Sequence, residues 1–252
     1  MTGFVSLVGA GPGDPELLTV RALRRLADAD LVLNDALVLA DLLELAPKAQ
    51  RFYVGKRAGR HSIDQDGIHH LMIRAARRGQ RVVRLKAGDP FVLGRGGEEA
   101  LALDAAGVAY EVVPGLSSAT AAPLLAGIPL THRGIASGFA VISGHAEAAY
   151  APVIDSVAPG ALTLVVLMGV QLRARIAARL IARGWSRDTP AALLFGASQP
   201  GSFTHITQLG ELAVGGAVPA TELPGVLVIG EVVSLADAIA QVHPTALAER
   251  SL

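Results

Sequence analysis

The chain of 252 residues contains no cysteine, which excludes disulfide bonds, thiolate nucleophiles and cysteine-ligated metal sites. Lysine is scarce as well, because only three of the 22 basic residues are lysine and the other nineteen are arginine. The planar guanidinium group of arginine binds carboxylates and phosphates through two parallel hydrogen bonds. The composition therefore leaves an anionic small ligand open.

Net charge and long apolar runs are also lacking. The formal net charge is zero, so the composition indicates neither a nucleic-acid partner nor a membrane-surface partner. No run approaches the roughly 18 apolar residues of a spanning helix, and the N-terminal residues show no basic region of a signal peptide. The hydrophobic fraction of 51% is ample for sizeable cores. We expect a soluble, cytoplasmic protein.

Metal-ligand spacing is missing from the seven histidines, none of which forms an H-x-H or H-E-x-x-H pattern. The neighbouring pair His69 and His70 face different ways on a predicted helix. No Walker A loop, nucleophile elbow or Ser/His/Asp order is present either. We therefore predict no metal site.

The most informative stretch is residues 81–99, which reads as a buried strand, a glycine-rich loop and a helix beginning near Glu98. The run Ala-Gly-Asp-Pro at 87–90 stops the strand and lets backbone come close to a ligand. Arg84 and Arg95 place charge beside this flexible backbone. Open α/β sheets bind ligands where the carboxyl ends of strands run into such loops, so we predict a binding site here.

Strand and helix patterns alternate along both halves of the chain, which predicts an α/β fold with mostly parallel or mixed sheets. Strand-type apolar runs occur at 4–8, 31–33, 51–54, 81–85, 110–113, 140–143, 162–168, 191–195, 202–206 and 225–229. Helical periodicity occurs at 16–27, 40–45, 65–78, 100–106 and 171–183, and from residue 235 onward. A connection at Pro114-Gly115 suggests two α/β domains, residues 1–114 and 115–252.

The first glycine-rich loop, residues 9–14, is close to the dinucleotide fingerprint G-x-G-x-x-G. Asp14 stands where the third glycine should be, and Pro12 lacks the N–H that would point at a pyrophosphate. Asp35, at the end of the second strand, is where a ribose-binding carboxylate would fall. An NAD(P)-dependent dehydrogenase is therefore an alternative. A cationic adenosine ligand without phosphates, such as S-adenosylmethionine, fits an aspartate-bearing loop better.

A basic loop at residues 55–61 concentrates four basic or potentially basic groups, including Arg57. Such a cluster is often only a solvated charged surface. Arg84, Arg95 and Arg133 also fall on predicted loops or strand ends. Together these four arginines indicate a polycarboxylate substrate.

Several runs of the chain match one family in the family's order. They are VGAGPGDPELLT at 8–19, VGKRAG at 54–59, RLKAGDPFV at 84–92, GRGGEE at 94–99, VPG at 113–115, GIPLTHR at 127–133 and IGEVV at 229–233. With them the chain resembles the uroporphyrinogen-III C-methyltransferases among the tetrapyrrole methylases. The first and third runs are shared with the corrin-ring methylases, whereas GKRAG and LTHR look specific to the uroporphyrinogen branch.

The resemblance implies two α/β domains, a homodimer, and S-adenosyl-L-methionine bound in the cleft between the domains. It implies C-methylation of uroporphyrinogen III at two ring carbons, giving precorrin-2 for sirohaem or cobalamin, with S-adenosyl-L-homocysteine as the other product. A methylase of a later corrin precursor is the alternative within the fold. A non-catalytic tetrapyrrole-binding protein is an alternative of another class.

The resemblance also implies roles for individual residues. Asp35 matches the family's proposed proton acceptor, and Lys56 matches its proposed proton donor. The residues implied to line the cofactor pocket are Pro12, Ala87, Gly88, Asp89, Val92, Ser117, Ser118, Met168 and Ala197.

The chain departs from the family pattern at four positions. Asn34 replaces an aromatic residue and Ala36 replaces an arginine, on either side of Asp35. Ala87 replaces the first glycine of the cofactor turn, so this position must either avoid positive φ or accept backbone strain. Asp64 replaces a proline. The Ala36 change removes one potential contact with a substrate carboxylate.

Overall fold

The computed structural model describes residues 3–55 and 63–239. By its internal contacts the chain divides into two compact units, Met1–Ser118 and Ala119–Leu252. Each unit contains one five-stranded sheet. The predicted division into two domains, residues 1–114 and 115–252, stays a prediction.

The first unit is a parallel sheet covered by helices. Its strands are β1 (Phe4–Gly9), β2 (Leu31–Asn34), β3 (Gln50–Tyr53), β4 (Arg81–Lys86) and β5 (Tyr110–Val113). Its helices are α1 (Val20–Ala27), α2 (Ala40–Glu44), α3 (Gln65–Arg77) and α4 (Gly96–Ala105). The strand order is β3-β2-β4-β1-β5, and every adjacent pair is parallel, as the alternation predicted.

Both faces of this sheet are buried because successive strand residues point to opposite sides. Val82 belongs to the same apolar cluster as Met72 of α3. Val83, the next residue, belongs to a second cluster with Leu26 of α1. A strand covered by helices on both sides reads as a continuous apolar run, which is why β4 was recognisable from sequence.

At the centre of the sheet, the connections that follow the neighbouring strands β1 and β4 run toward opposite edges of the sheet. β1 and β4 are neighbours, but the chain continues from β1 to β2 on one side and from β4 to β5 on the other. Adjacent strands whose connections leave in opposite directions open a crevice at their carboxyl ends. The loops that follow β1 and β4 therefore border the expected ligand site of this unit.

Side-chain caps explain where the helices begin. The helix predicted over 16–27 is divided, because Asp14 accepts a 2.8 Å hydrogen bond from the Glu16 amide and caps a 3-10 turn at Pro15–Leu17. α1 then starts afresh after Thr19, whose Oγ1 accepts from the Ala22 amide at 3.2 Å. Asp64 caps α3 by accepting a hydrogen bond from the Gly67 amide at 2.8 Å. The aspartate that stands where the family has proline is therefore the N-cap of this helix.

The second unit is a mixed sheet. Its strands are β6 (Phe139–Ser143), β7 (Thr163–Leu167), β8 (Pro190–Phe195), β9 (Phe203–Gln208) and β10 (Gly225–Ile229). Its helices are α5 (Ser118–Leu125), α6 (Glu147–Ser156), α7 (Arg173–Ala182) and α8 (Leu209–Ala213). The order is β6-β7-β10-β8-β9; only the β6–β7 pair is parallel, and β10 is antiparallel to both neighbours.

Two helices of this unit, α6 and α8, were not expected from the sequence, since α6 contains Pro152 and α8 is only five residues long. The helix predicted from Leu235 does not begin there, because a 3-10 turn at Glu231–Leu235 is followed by turns up to residue 239. The rest of that predicted helix lies outside the described residues. Within 3–55 and 63–239, every helix falls short of the length and apolarity needed to cross a membrane.

Candidate active site

Three glycines bring the ends of β1, β4 and β5 together. A Cβ atom on Gly9 would lie 2.5 Å from the amide nitrogen of Gly115 and 2.6 Å from the carbonyl oxygen of Gly88. Gly11 and Gly88 exchange backbone hydrogen bonds of 3.2 and 2.9 Å, which join the loop after β1 to the loop after β4. The central crevice is therefore bordered by bare backbone, which suits close approach to a ligand.

Asp89 fixes the loop after β4 through its carboxylate. Its Oδ1 accepts from the Phe91 amide at 2.8 Å, and its Oδ2 accepts from the Gly115 amide at 3.2 Å. One side chain thus ties the loop after β4 to the loop after β5. The Asp89 side chain therefore holds the predicted cofactor turn through two backbone amides.

Gly88 leaves a space that a side chain would fill. Its φ is +68°, and a Cβ there would lie 3.7 Å from both the amide nitrogen and Oγ of Ser118. Ser118 is itself a predicted cofactor residue. Ala87 is absent from the residues with positive φ, so of the two alternatives it avoids positive φ rather than accepting strain.

Four non-glycine residues within the described ranges adopt positive φ, and all of them lie beside predicted site residues. They are Leu93, Arg95, Met168 and Ser198, with φ values of 53°, 58°, 58° and 62°. Such strain costs on the order of 1–3 kcal/mol per residue and collects at ligand sites. Leu93 and Ser198 were missed by the sequence analysis, because nothing in an ordinary leucine or serine reveals a strained backbone.

Asp35 lies at the carboxyl end of β2 and is held by a buried arginine. Arg84 Nη2 donates to Asp35 Oδ1 at 2.6 Å. The Asp35 side chain is 31% exposed, whereas that of Arg84 is 2% exposed. The candidate proton acceptor can therefore be reached from solvent while its partner cannot.

The rest of the Arg84 guanidinium is bound inside the unit. Its Nε donates to Glu99 Oε1 at 2.9 Å. Its Nη1 donates at 3.3 Å to the carbonyl oxygens of Leu33 and of Leu85. Since arginine has five N–H donors, at most one remains for a substrate carboxylate. The predicted substrate contact of Arg84 stays a prediction. The hydrogen bonds that the structure shows for its guanidinium bind Asp35 and Glu99 instead.

Glu99 joins Arg84 to a second buried cation. Its Oε1 also accepts from Lys86 Nζ at 3.0 Å and from Gln65 Nε2 at 3.1 Å, and its side chain is completely buried. Its Oε2 has no hydrogen-bond partner among the residues described. Burial lowers the pKa of Lys86, and the positive charge of Arg84 lowers it further, although the Glu99 carboxylate opposes both effects.

The other predicted substrate arginines are more accessible. Arg95 is 53% exposed and donates from Nε and Nη2 to the two carboxylate oxygens of Glu98, at 2.9 and 2.6 Å. Arg133 is exposed on a tight turn that the backbone hydrogen bonds between His132 and Ala136 close. Arg57 and the predicted proton donor Lys56 lie outside the described residues.

In the second unit, the predicted cofactor residues Met168 and Ala197 follow β7 and β8. Met168 is 53% exposed, and it precedes Gly169, whose Cα would lie 2.4 Å from a Cβ on Gly144. Ala197 lines a cavity of about 400 Å³ together with Ser198. Met168 is not among the lining residues, so this cavity by itself does not join the two predicted positions.

Comparison with known proteins places these features in a family. A model of the family described as Tetrapyrrole (Corrin/Porphyrin) Methylases matches residues 5–213. A uroporphyrinogen-III C-methyltransferase of Methanocaldococcus jannaschii is 43% identical over 240 residues, covering 94% of this chain and 99% of that protein. A siroheme synthase of Azotobacter vinelandii is 45% identical over 241 residues, covering 94% of this chain but only 52% of that protein.

Solved structures agree with the sequence relatives. The uroporphyrin-III C-methyl transferase of Thermus thermophilus, complexed with S-adenyl homocysteine, is 45% identical and matches with a TM-score of 0.79. The match covers 92% of this chain and 99% of that one. Sequence and fold therefore point to the same relatives.

Proposed function

The chain belongs to the tetrapyrrole (corrin/porphyrin) methylases, and we propose that it is a uroporphyrinogen-III C-methyltransferase. The observation that carries this assignment is similarity along nearly the whole length of an enzyme with that name. S-adenosyl-L-methionine is the methyl donor and S-adenosyl-L-homocysteine is the spent product. Two methylations of uroporphyrinogen III give precorrin-2, the precursor of sirohaem and cobalamin. Any further activity of siroheme synthases is not carried over, because the chain spans only about half of their length.

The first unit offers features that fit the cofactor. Pro12, Ala87, Gly88, Asp89, Val92, Ser117 and Ser118 are proposed to hold it. Gly88 leaves space beside Ser118, and the Asp89 carboxylate keeps the turn in place through two backbone amides. Asp14 is a helix cap near the same loop, and its negative charge is compatible with a cation but not with a pyrophosphate. This disfavours the alternative of an NAD(P)-dependent dehydrogenase.

When bound, S-adenosylmethionine supplies a methyl group on a cationic sulfur atom. The task left to this chain is mainly to place the ring carbon and to accept a proton. We assign proton acceptance to Asp35, which is partly exposed and oriented by Arg84. Arg95 and Arg133 are exposed and suited to substrate carboxylates. Contacts by Met168 and Ala197 with the cofactor, and roles for Lys56 and Arg57, stay predictions.

Assembly and location are further parts of the proposal. We expect a homodimer in the cytoplasm, with no nucleic-acid or membrane partner. Light scattering on the purified chain measures its mass in solution directly. A monomeric mass at working concentration would contradict the homodimer.

The decisive experiment is anaerobic incubation with S-adenosylmethionine and uroporphyrinogen III, followed by mass spectrometry of the tetrapyrrole. Gain of two methyl groups is the expected result. Gain of one would indicate early release of the intermediate. No gain, with S-adenosylhomocysteine still bound, would favour a later corrin precursor as substrate, and this is tested in parallel. Failure to bind either form of the cofactor would overturn the assignment.

A paired substitution tests the proton acceptor. Asp35→Asn should lower turnover by about 10²–10⁴-fold, the usual contribution of a positioned acid or base. S-adenosylhomocysteine should bind as before, since Asp35 is not a proposed cofactor residue. Asp41→Asn, at an exposed position in α2, is the matched control and should leave turnover unchanged. Full activity of Asp35→Asn would remove Asp35 from the mechanism.

A further inference from the structure

We infer that Arg84, anchored by Glu99, is a positioning residue that holds the Asp35 carboxylate in its reactive orientation. The inference rests on the proposed function, because it requires Asp35 to accept a proton. In this role Arg84 contacts other residues of the enzyme rather than the substrate. Three observations support it: the fixed guanidinium plane, the balance of buried charge, and the unequal environments of the two Asp35 oxygens.

The guanidinium plane is fixed from three elements. Carbonyl oxygens of Leu33 in β2 and Leu85 in β4 accept from Nη1, and Glu99 in α4 accepts from Nε. A planar group held at two of its nitrogens cannot rotate. The remaining nitrogen, Nη2, therefore presents its N–H to Asp35 from a defined position.

Charge balance requires Asp35 to be part of the group. Arg84 and Lys86 are two cations with nearly no exposure, and both contact the same Glu99 oxygen. One carboxylate cannot neutralise two buried cations, and an uncompensated buried charge is strongly unfavourable. The Asp35 carboxylate supplies the second negative charge. Arg84 is thus drawn to Asp35 as well as to Glu99.

The two oxygens of Asp35 differ. Oδ1 accepts the 2.6 Å hydrogen bond from Arg84. Oδ2 makes no hydrogen bond within the described residues, and the side chain is 31% exposed. Holding one oxygen from inside leaves the other free to face the substrate. Loss of the Arg84 contact would let the carboxylate rotate away, and misplacement of a reacting group by about 1 Å can cost about 100-fold in rate.

The test is a double-mutant cycle between Arg84→Lys and Asp35→Asn, with methyl transfer as the readout. Lysine keeps the charge but cannot reproduce the planar set of hydrogen bonds. Arg84→Lys alone should lower kcat by about 10- to 100-fold. KM for the tetrapyrrole and the Kd for S-adenosylhomocysteine should stay within about threefold, because no binding contact is removed. In the Asp35→Asn background the same change should have no further effect on kcat.

A second variant keeps the test informative if Arg84→Lys does not fold. Glu99→Gln preserves the shape of the anchor but removes its charge. It should lower kcat in the wild-type background and leave it unchanged in the Asp35→Asn background. Arg25→Lys is the matched control, since Arg25 also binds a carboxylate, that of Glu111, through Nε and Nη2 but is not connected to Asp35. It should behave as wild type.

Several outcomes would overturn the inference. They are unchanged kcat in Arg84→Lys, independent effects of the two substitutions, a large rise in KM with kcat preserved, and full activity of Asp35→Asn. A raised KM would restore Arg84 as a substrate-binding residue. The proposed function fails separately, in the wild-type enzyme, if uroporphyrinogen III gains no methyl group. The cycle is then run on whichever tetrapyrrole the wild-type enzyme methylates.

Discussion

The backbones of Gly9 and Gly115 approach each other so closely that a Cβ on Gly9 would lie 2.5 Å from the Gly115 amide nitrogen. Neither partner can yield, because both sides of the contact are backbone at the ends of adjacent parallel strands. The chain segments at the ends of β1 and β5 can come this close only because neither glycine has a side chain. This relationship carries the first prediction.

Gly9→Ala should destabilise the protein by about 3 kcal/mol or more, at the upper end of the usual cost of overpacking. Gly97→Ala is the control, because no atom lies within 4 Å of its Cβ position in α4. That change should be neutral or should stabilise by up to about 1 kcal/mol, since alanine favours helix over glycine. Urea unfolding followed by far-UV circular dichroism measures both. Equal effects of the two substitutions would show that the close contact is absent in solution.

Gly88→Ala should weaken binding of S-adenosylhomocysteine by about tenfold or more, since an added methyl group enters the space beside Ser118 and alanine at positive φ costs about 1–2 kcal/mol. Gly107→Ala is the control, because Gly107 also has a positive φ, of +65°, but is not a proposed cofactor residue and has no atom within 4 Å of its Cβ position. This change should cost a similar amount of stability, about 1–2 kcal/mol, and leave affinity within about threefold. Isothermal titration calorimetry measures both. An unchanged affinity in Gly88→Ala would place the cofactor elsewhere.

Met168→Gly should separate stability from binding. The backbone of Met168 is strained at φ 58° and its side chain is 53% exposed, so glycine relieves strain with little loss of burial. We expect the free energy of unfolding to rise by between zero and about 1 kcal/mol, while affinity for S-adenosylhomocysteine falls about tenfold. Met168→Ala removes the same contact but keeps the strain, so it should lose affinity without gaining stability. Unchanged affinity in both variants would remove Met168 from the cofactor site.

Lys86 should make the stability of the protein rise at alkaline pH. Its pKa in the folded state is lowered, chiefly by burial, from the ordinary value of 10.5. Between the lowered value and 10.5 the unfolded chain binds a proton that the folded chain has released, so the free energy of unfolding increases with pH in that window. The increase is at most about 1.4 kcal/mol per pH unit.

Lys86→Met should remove this contribution. The difference in the free energy of unfolding between wild type and variant, measured by urea unfolding at several values between pH 8 and 10.5, should shift in favour of wild type as pH rises. Other titrating groups affect both proteins and largely cancel in the difference. A difference that stays constant with pH would show that the pKa of Lys86 is not lowered.

The first unit was largely predictable because its strands are apolar runs separated by amphipathic helices. The prediction failed where local capping overrode periodicity, because the 3-10 turn at Pro15–Leu17 ends at Leu18 and Thr19 then caps the start of α1. In the second unit, α6 was missed because Pro152 stands inside it, although its buried residues Tyr150 and Ile154 are four positions apart, as on one face of a helix. The position of β10 between β7 and β8 depends on long-range pairing, which no local pattern encodes.

At the site, the motifs identified the family and the glycine turns, but not which charges are buried. One signal was available. Arg84 and Lys86 are two residues apart on a strand, so their side chains share a face, and β4 reads as a buried strand. Two cations on one face of such a strand require nearby carboxylates. That they are Glu99, fifteen residues away, and Asp35, forty-nine residues away, follows only from the fold.

The central place of β10 has a consequence for synthesis of the protein on the ribosome. This strand joins β7 to β8, and its last residue is Ile229. Until that segment leaves the exit tunnel, the β6–β7 pair and the β8–β9 pair present uncovered edges to solvent. The first sheet, by contrast, has all of its strands once residue 113 has emerged. A nascent chain stalled between residues 113 and 229 would carry a complete first sheet and an incomplete second sheet, and the exposed strand edges of the second sheet favour aggregation.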